Sequence, residues 1–240
     1  MDLTSQAFPP DFSHDNHQFS RVHEFLKESN QDLILDNVYY RPIKHSHEVE
    51  ELNLLYKEWF PLEYPEEFYE GLLDHPTIKI LVAFYDLEHQ GKKKTIILGS
   101  VIYEPRQLDL SFVGYPLLHF LKKYSGIYIL SIGVIDELRQ KGLATVLMSK
   151  LLDIAKEDKS VKYLYLDVIE YNKSAIRFYE KIGFQKVMTR DSYYEIFDKK
   201  YNSLVYCLYI NGGEIIDSFY KRIVSSSLLN LYNPFNIDQA

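Results

Sequence analysis

The sequence predicts an α/β fold, a sandwich of helices around a mixed sheet, and three observations carry that reading. Strand-like "IYILSIGVI" is followed by a helix-period run over 142–157, then by strand-like "KYLYLDVI" and a second helix-period run over 173–182. A strand, helix, strand, helix series packs its helices against a sheet. Upstream, the β-rich runs "TIKILVAFYD" and "TIILGSVIYE" flank the charged, turn-forming "GKKK", which predicts a hairpin and so antiparallel neighbours. The composition, 240 residues with 46% apolar and 25% charged, suits one main globular domain.

Taken in order, residues 1–37 are polar and rich in Asp, Asn, Ser and His, and read as a flexible arm. Its His14, His17 and His23 are spaced by three and six, which matches no helical ligand pair, so no metal is expected there. The main domain is read over 38–213. "VYYRPI" from Val38 predicts a strand; Ser46 is placed to cap a helix whose apolar positions Val49, Leu52, Leu55, Trp59 and Phe60 follow helical spacing. "PEEFYEGLLDH" predicts a short helix with Pro65 in its first turn. After the hairpin, residues 105–126 fit either an extended excursion or a short amphipathic helix broken at Pro116. Final β runs lie around "FQKVMT" and "SLVYCLYI".

Over 214–240, Ile215, Ile216, Phe219, Tyr220 and Ile223 share one helical side with Lys221 and Arg222 opposite. That amphipathic segment suits docking on the domain's own surface or peripheral contact with a membrane. No apolar run approaches the ~20 residues that span a bilayer, and no stretch resembles a secretory signal. The net charge of −7, with no basic stripe, argues against a nucleic-acid surface. Cys207 is the only cysteine, so no internal disulfide or thiolate metal site is expected, which fits a reducing, cytoplasmic setting. Inside an apolar run it reads as a core residue rather than a nucleophile.

The chemistry concentrates at the start of the 142–157 helix. Its apolar residues Leu143, Val146, Leu147, Leu151 and Ile154 predict a stripe facing the sheet. Its first N–H groups have no intrahelical partners, and the helix dipole adds partial positive charge there. In Arg139-Gln140-Lys141-Gly142-Leu143-Ala144 the small Gly142 and Ala144 leave those donors uncovered, as a phosphate or pyrophosphate site requires. Neither the ATP-loop pattern nor the dinucleotide Gly-x-Gly-x-x-Gly pattern is present.

The Arg/Gln-x-x-Gly-x-Gly/Ala pattern after a strand resembles the pyrophosphate-binding signature of the GCN5-related N-acetyltransferases, which hold acetyl-coenzyme A there. A second block, "LDVIEYNKSAIRFYEKIGF", is similar to that family's second coenzyme-binding segment, with Asn172 at a helix start, then Tyr179 and the closing Gly183-Phe184. These residues also suit plain structural roles: an N-cap, a core aromatic and a C-cap. "WFPLEYP" at 59–65, "YILSIGV" at 128–134 and "LYINGG" at 208–213 together resemble the N-alpha-acetyltransferases of the NatF type, Golgi-associated enzymes that acetylate protein N-termini.

The resemblance implies a mixed, mostly antiparallel central sheet flanked by helices, with acetyl-CoA as co-substrate and no metal. It assigns Leu130, Ser131 and Ile132 to the pantetheine through backbone groups, and Arg139, Gln140, Lys141, Gly142, Leu143 and Ala144 to the pyrophosphate. Asn172 and Tyr179, with Glu180 and Lys181 beside them, complete the coenzyme site. Phe60, Pro61 and Tyr64, with Tyr193 and Tyr194, would grip a peptide N-terminus.

The reaction implied is direct attack of the neutral amine on the thioester, a backbone N–H near Tyr128 stabilising the oxyanion. In that family a Tyr and a His remove the amine's proton through water. Tyr128 matches the first; the second position, in "LYLDV", is Asp167. Neutralising an α-amine of pKa about 8 at pH 7 costs about 1.4 kcal/mol, against about 5 kcal/mol for a lysine. A weak base is therefore tolerable for N-termini, and Asp167 is expected to anchor the ammonium or orient water with Tyr128. The implied substrates are N-termini keeping Met before Leu, Ile, Phe, Tyr or Lys, and the implied place is the cytosolic face of the Golgi. Acetylation of lysines or small amines, and a non-catalytic coenzyme A-binding module, are the competing readings.

Overall fold

The computed structural model describes residues 26, 33, 35–60, 72–89, 91–108, 124–196 and 198–213. Most of the polar arm, Pro61, Tyr64, residues 65–71 of the helix expected at Pro65, residues 109–123 and the 214–240 segment lie outside the described residues; residues 72–74 of that expected helix form a turn rather than helix.

Seven strands make one mixed sheet: β1 (Tyr39–Arg41), β2 (Lys79–His89), β3 (Lys92–Leu108), β4 (Tyr124–Val134), β5 (Val161–Ile169), β6 (Gln185–Ile196) and β7 (Lys199–Tyr209), in the order β1-β2-β3-β4-β5-β7-β6. Among the described residues the α-helices with complete bounds are α1 (Ser46–Trp59), α2 (Leu143–Glu157) and α3 (Lys173–Lys181). The α/β class expected from the strand and helix series is the class observed. Both ends of the 105–126 stretch belong to strands, its start closing β3 and its end opening β4. The chain divides into two compact units, one comprising the described residues up to Tyr103 with Leu130–Leu152, the other Glu104–Ile129 and those from Asp153 onward.

In the first unit, β2 and β3 form the expected hairpin, paired from Lys79↔Tyr103 to His89↔Lys92. Of "GKKK", Gly91 takes the turn with a φ of 75°. The lysines instead continue the strand, where Glu88 faces Lys93 and Thr95 donates to Asp86 at 2.7 Å, cross-strand pairs that reward extending the ladder.

The helix α1 buries Val49, Leu52, Leu55, Tyr56 and Trp59 along one face, each fully buried leucine contributing about 2 kcal/mol. Its N-cap is His45 rather than Ser46, because the Glu48 carboxylate reaches back to accept from the amides of Lys44 (2.8 Å) and His45 (3.3 Å). Burial works to raise the pKa of Glu48, but the Arg41 guanidinium at 2.6 Å and those two amides bring it down to about 2. The Trp59 ring lies against Gly133 of β4, where a Cβ would collide with it.

The stripe of α2 is rotated from the one expected: Leu143, Leu147, Met148, Leu151 and Ala155 are buried, while Val146 and Ile154 are about 40% exposed at 40% and 39%. Both sets fit a helical period; Met148 and Ala155 complete the buried one.

In the second unit, β5 pairs in parallel with β4 from Ser125↔Val161 to Ile129↔Leu166, and antiparallel with β7 from Tyr163↔Tyr209 to Ile169↔Ser203. The β4 ladder stops at that point although β5 runs on to Ile169. Strands β6 and β7 form a hairpin whose register breaks between Arg190 and Tyr194. Ser192 there takes a φ of 53° and donates its N–H to Asn202 at 3.0 Å, a bulge that re-aims Tyr193 out of the regular alternation.

Candidate active site

The segment 135–146, within the first unit, builds the phosphate-type turn. Asp136–Leu138 is a single 3-10 turn, after which Gln140 and Gly142 take φ of 62° and 95°. A Cβ on Gly142 would meet nothing within 4 Å, so glycine serves conformation there, and an approaching ligand finds open space. The first intrahelical donor is the Val146 amide, bonded to the Gly142 carbonyl at 3.1 Å. The amides of Leu143, Ala144 and Thr145 precede it, and no acidic residue stands in the first turn of α2 to neutralise that end. Gln140, Lys141 and Gly142 are exposed. Arg139 is held to Asp136 at 2.7 Å and donates to the Val134 carbonyl at 3.4 Å, so its guanidinium braces the turn. These features fit a diphosphate.

Upstream in β4, Leu130 and Ile132 are half-buried, while the buried Ser131 places its Oγ 2.7 Å from the Tyr56 hydroxyl, which also lies 3.2 Å from Ser100. Burial pushes the Tyr56 phenol up to about 12. Phe60 closes α1, donating its N–H to the Tyr56 carbonyl at 3.0 Å, its ring 5.1 Å from that of Tyr56.

In the second unit, Asn172 is the N-cap of α3, its Oδ1 accepting from the Ala175 amide at 3.0 Å. Tyr179 is buried against Phe178 and Phe184. Glu180 accepts from the Tyr206 hydroxyl at 2.8 Å, and Lys181 is exposed. Cys207 is fully buried on β7, and burial raises its pKa to about 12.

The same unit gathers Tyr128, Asp167, Tyr193 and Tyr194 into one cluster. The Tyr128 hydroxyl donates to Asp167 Oδ2 at 3.2 Å, and the two rings Tyr193 and Tyr194 meet edge to face at 5.1 Å. Burial, with the Asp167 charge adding to it, raises the Tyr128 phenol well above its ordinary value. Burial also raises the Asp167 carboxyl, against Arg190, Ser203 and Tyr128, which favour its ionised form. The Asp167 side chain is 2% exposed. At that burial a charge persists only with such partners.

Sequence reasoning did not single out Ser203, Arg190 or Arg106. Ser203 donates to Asp167 Oδ1 at 2.5 Å; Arg190 brings Nη1 within 3.6 Å of Oδ2. Arg106 lies 4.3 Å from the centre of the Tyr128 ring, pairs with Glu104 at 2.6 Å and donates to the Tyr165 hydroxyl at 3.3 Å. The pairing of β7 with β5 and with β6 brings Ser203 and Arg190 to Asp167, and Arg106 reaches Tyr128 from β3; no local pattern announces these contacts. Among the described residues no group of His, Cys, Asp and Glu could hold a metal ion.

Residues 47–184 match the model of the Acetyltransferase (GNAT) family. N-alpha-acetyltransferase 60 of Xenopus tropicalis is 28% identical over 195 residues, covering 78% of this chain and 76% of the relative. N-alpha-acetyltransferase 60 of Danio rerio is 29% identical over 199 residues, covering 80% and 78%. A crystal structure of Arabidopsis thaliana NAA60 in complex with acetyl-CoA superposes with a TM-score of 0.63 at 24% identity, covering 73% of this chain and 99% of that one. That last likeness is one of fold.

Proposed function

The chain belongs to the Acetyltransferase (GNAT) family, and on that premise we propose that it transfers acetyl from acetyl-CoA to the α-amino group of protein N-termini. The observation that carries the coenzyme half is the uncovered, unneutralised start of α2 behind the left-handed Gly142. The peptide half draws on the vertebrate relatives, both named N-alpha-acetyltransferase 60.

Bound acetyl-CoA supplies an activated acetyl thioester. Lys141, Gly142, Leu143 and Ala144 hold the diphosphate through the amides of the turn and one cation, while Gln140 adds a side-chain donor and Arg139 fixes the turn's shape. Leu130, Ser131 and Ile132 meet the pantetheine with backbone groups, and Asn172, Tyr179, Glu180 and Lys181 border the coenzyme from α3. Phe60, Pro61, Tyr64, Tyr193 and Tyr194 grip the peptide; rigid aromatic walls lose little conformational entropy on binding.

Amine attack needs a proton acceptor, and Tyr128 with Asp167 provides it. Asp167 is poorly placed to anchor a substrate ammonium directly, since its carboxylate is enclosed and a guanidinium already stands beside it. Preference for Met followed by a hydrophobic residue or Lys, and residence on the cytosolic face of the Golgi, are proposed on the family resemblance. No helix of the described residues is long and apolar enough to cross a membrane; peripheral membrane contact is proposed for 214–240 on the amphipathic pattern of its sequence.

A peptide-library assay following released thiol tests this reading, with Tyr128→Phe as control. Turnover on free N-termini that the control loses supports it. Coenzyme binding without turnover on any peptide would instead mark a non-catalytic coenzyme A-binding module.

A further inference from the structure

The Asp167 carboxylate is held from three directions. Ser203 fixes Oδ1 from β7, Tyr128 donates to Oδ2 from β4, and Arg190 faces Oδ2 from β6. Arg190 is itself only 10% exposed, and its Nε is buried without a hydrogen-bond partner. Leaving a buried N–H unpaired is costly, and Arg190 sits there with its planar face 5.0 Å from the ring of Tyr193, the residue that the β6 bulge re-aims. One guanidinium thus touches both the carboxylate behind Tyr128 and the aromatic wall assigned to the peptide.

Resting on the acetyltransferase reading, we propose that Asp167 is the terminal acceptor of the amine's proton, reached through Tyr128, and that Arg190 is the positioning residue that keeps this carboxylate ionised and aligned until the proton arrives. An N–H bond of the attacking amine breaks as an O–H bond forms on Tyr128. Tyr128's original O–H bond breaks and that proton joins Asp167, which passes from carboxylate to carboxylic acid. Reversal of the two transfers to solvent after product release restores the start. Tyr128 never carries a full negative charge, which its burial would penalise severely.

The direction of donation agrees, for the Tyr128 hydroxyl already points its proton at Asp167; the Tyr193 hydroxyl also bonds to the Tyr128 hydroxyl, which leaves one lone pair for an incoming donor. The other groups facing the carboxylate are Arg106 from β3, Tyr165 on β5 itself, and Tyr193 from β6. Arg106 is paired with Glu104, so Arg190 is the cation whose removal changes the site most.

The test is the pH dependence of kcat on a Met-initiated peptide for the full chain, Arg190→Met, Arg190→Lys, Asp167→Asn and the Asp167→Asn/Arg190→Met pair, each checked for folding by circular dichroism. Losing the cation raises the proton affinity of Asp167, so the acid limb of Arg190→Met is expected to move up by about one pH unit, and Arg190→Lys to return it most of the way. In the Asp167→Asn background, removal of Arg190 is expected to move nothing. A limb that stays put in folded Arg190→Met, or that moves equally without Asp167, overturns the proposal. If Arg190→Met does not fold, Arg190→Gln carries the same comparison. If Asp167→Asn is too slow to profile, the carboxyl carbon resonance of Asp167, titrated in wild type and the Arg190 variant, must show the same shift or the proposal fails. A folded chain that binds acetyl-CoA yet acetylates no N-terminus overturns the catalytic reading itself, a distinguishable result.

Discussion

The hydroxyl of Tyr56, on α1, lies 2.7 Å from the Oγ of Ser131, on β4. It joins the buried face of α1 to the strand segment proposed to meet the pantetheine, and Ser100 on β3 completes the chain of hydroxyls at 3.2 Å. All three residues are buried, so none of the hydroxyls can turn to water instead.

Removing that link is expected to cost stability and coenzyme affinity together. Tyr56→Phe leaves two buried serine hydroxyls with fewer partners, a loss of about 1–3 kcal/mol, readable as a lower urea midpoint. Acetyl-CoA binding by calorimetry should weaken in parallel, since Ser131 is no longer held in place.

Gly142→Ala separates conformation from contact. A methyl there meets no atom within 4 Å, yet φ is 95°, so strain of about 1 kcal/mol is expected without a clash. The coenzyme dissociation constant should rise several-fold while the urea midpoint shifts only modestly. A variant binding as the wild type does would remove the turn from the site.

The Glu48 cluster is expected to set part of the acid stability. Its carboxyl is lowered to about 2, below its unfolded value near 4.5, so its contribution is fully present above about pH 4.5 and fades as pH falls toward 2. Glu48→Gln should unfold more easily at pH 7 and lose that part of the decline. Urea titrations at pH 7, 4 and 3 on both proteins measure it; parallel pH curves would contradict the assignment.

Asp167→Asn is expected to lower kcat by about 10²-fold or more, with coenzyme affinity nearly unchanged, because the partners of the carboxylate are Tyr128, Ser203 and Arg190, none of them assigned to the coenzyme. A loss confined to KM would point to peptide binding instead.

The two helix starts were legible because they are local: Gly142 with its uncovered amides, and Asn172 with its cap, depend on residues within four positions of each other. The strand series was legible for the same reason. What escaped the sequence reflects pairings at long separation. Asp167 meets Ser203 and Arg190 only because β7 lies between β5 and β6 in the sheet, and a bulge between Arg190 and Tyr194 sets where Tyr193 points. The α2 stripe was misplaced because Val146 and Ile154 are as apolar as the residues that are buried, and periodicity alone could not choose between adjacent faces. "GKKK" read wholly as a turn, but only Gly91 turns; the lysines pair along β2, where Glu88 faces Lys93.

Thiol release from acetyl-CoA on two versions of one peptide tests the central claim most directly, one with a free Met N-terminus and no lysine, the other N-terminally blocked and bearing a free lysine. Fast release with the first and little with the second is expected, since the lysine must be neutralised at about 5 kcal/mol against about 1.4 kcal/mol for the α-amine. Equal rates, or no release with either, would contradict it.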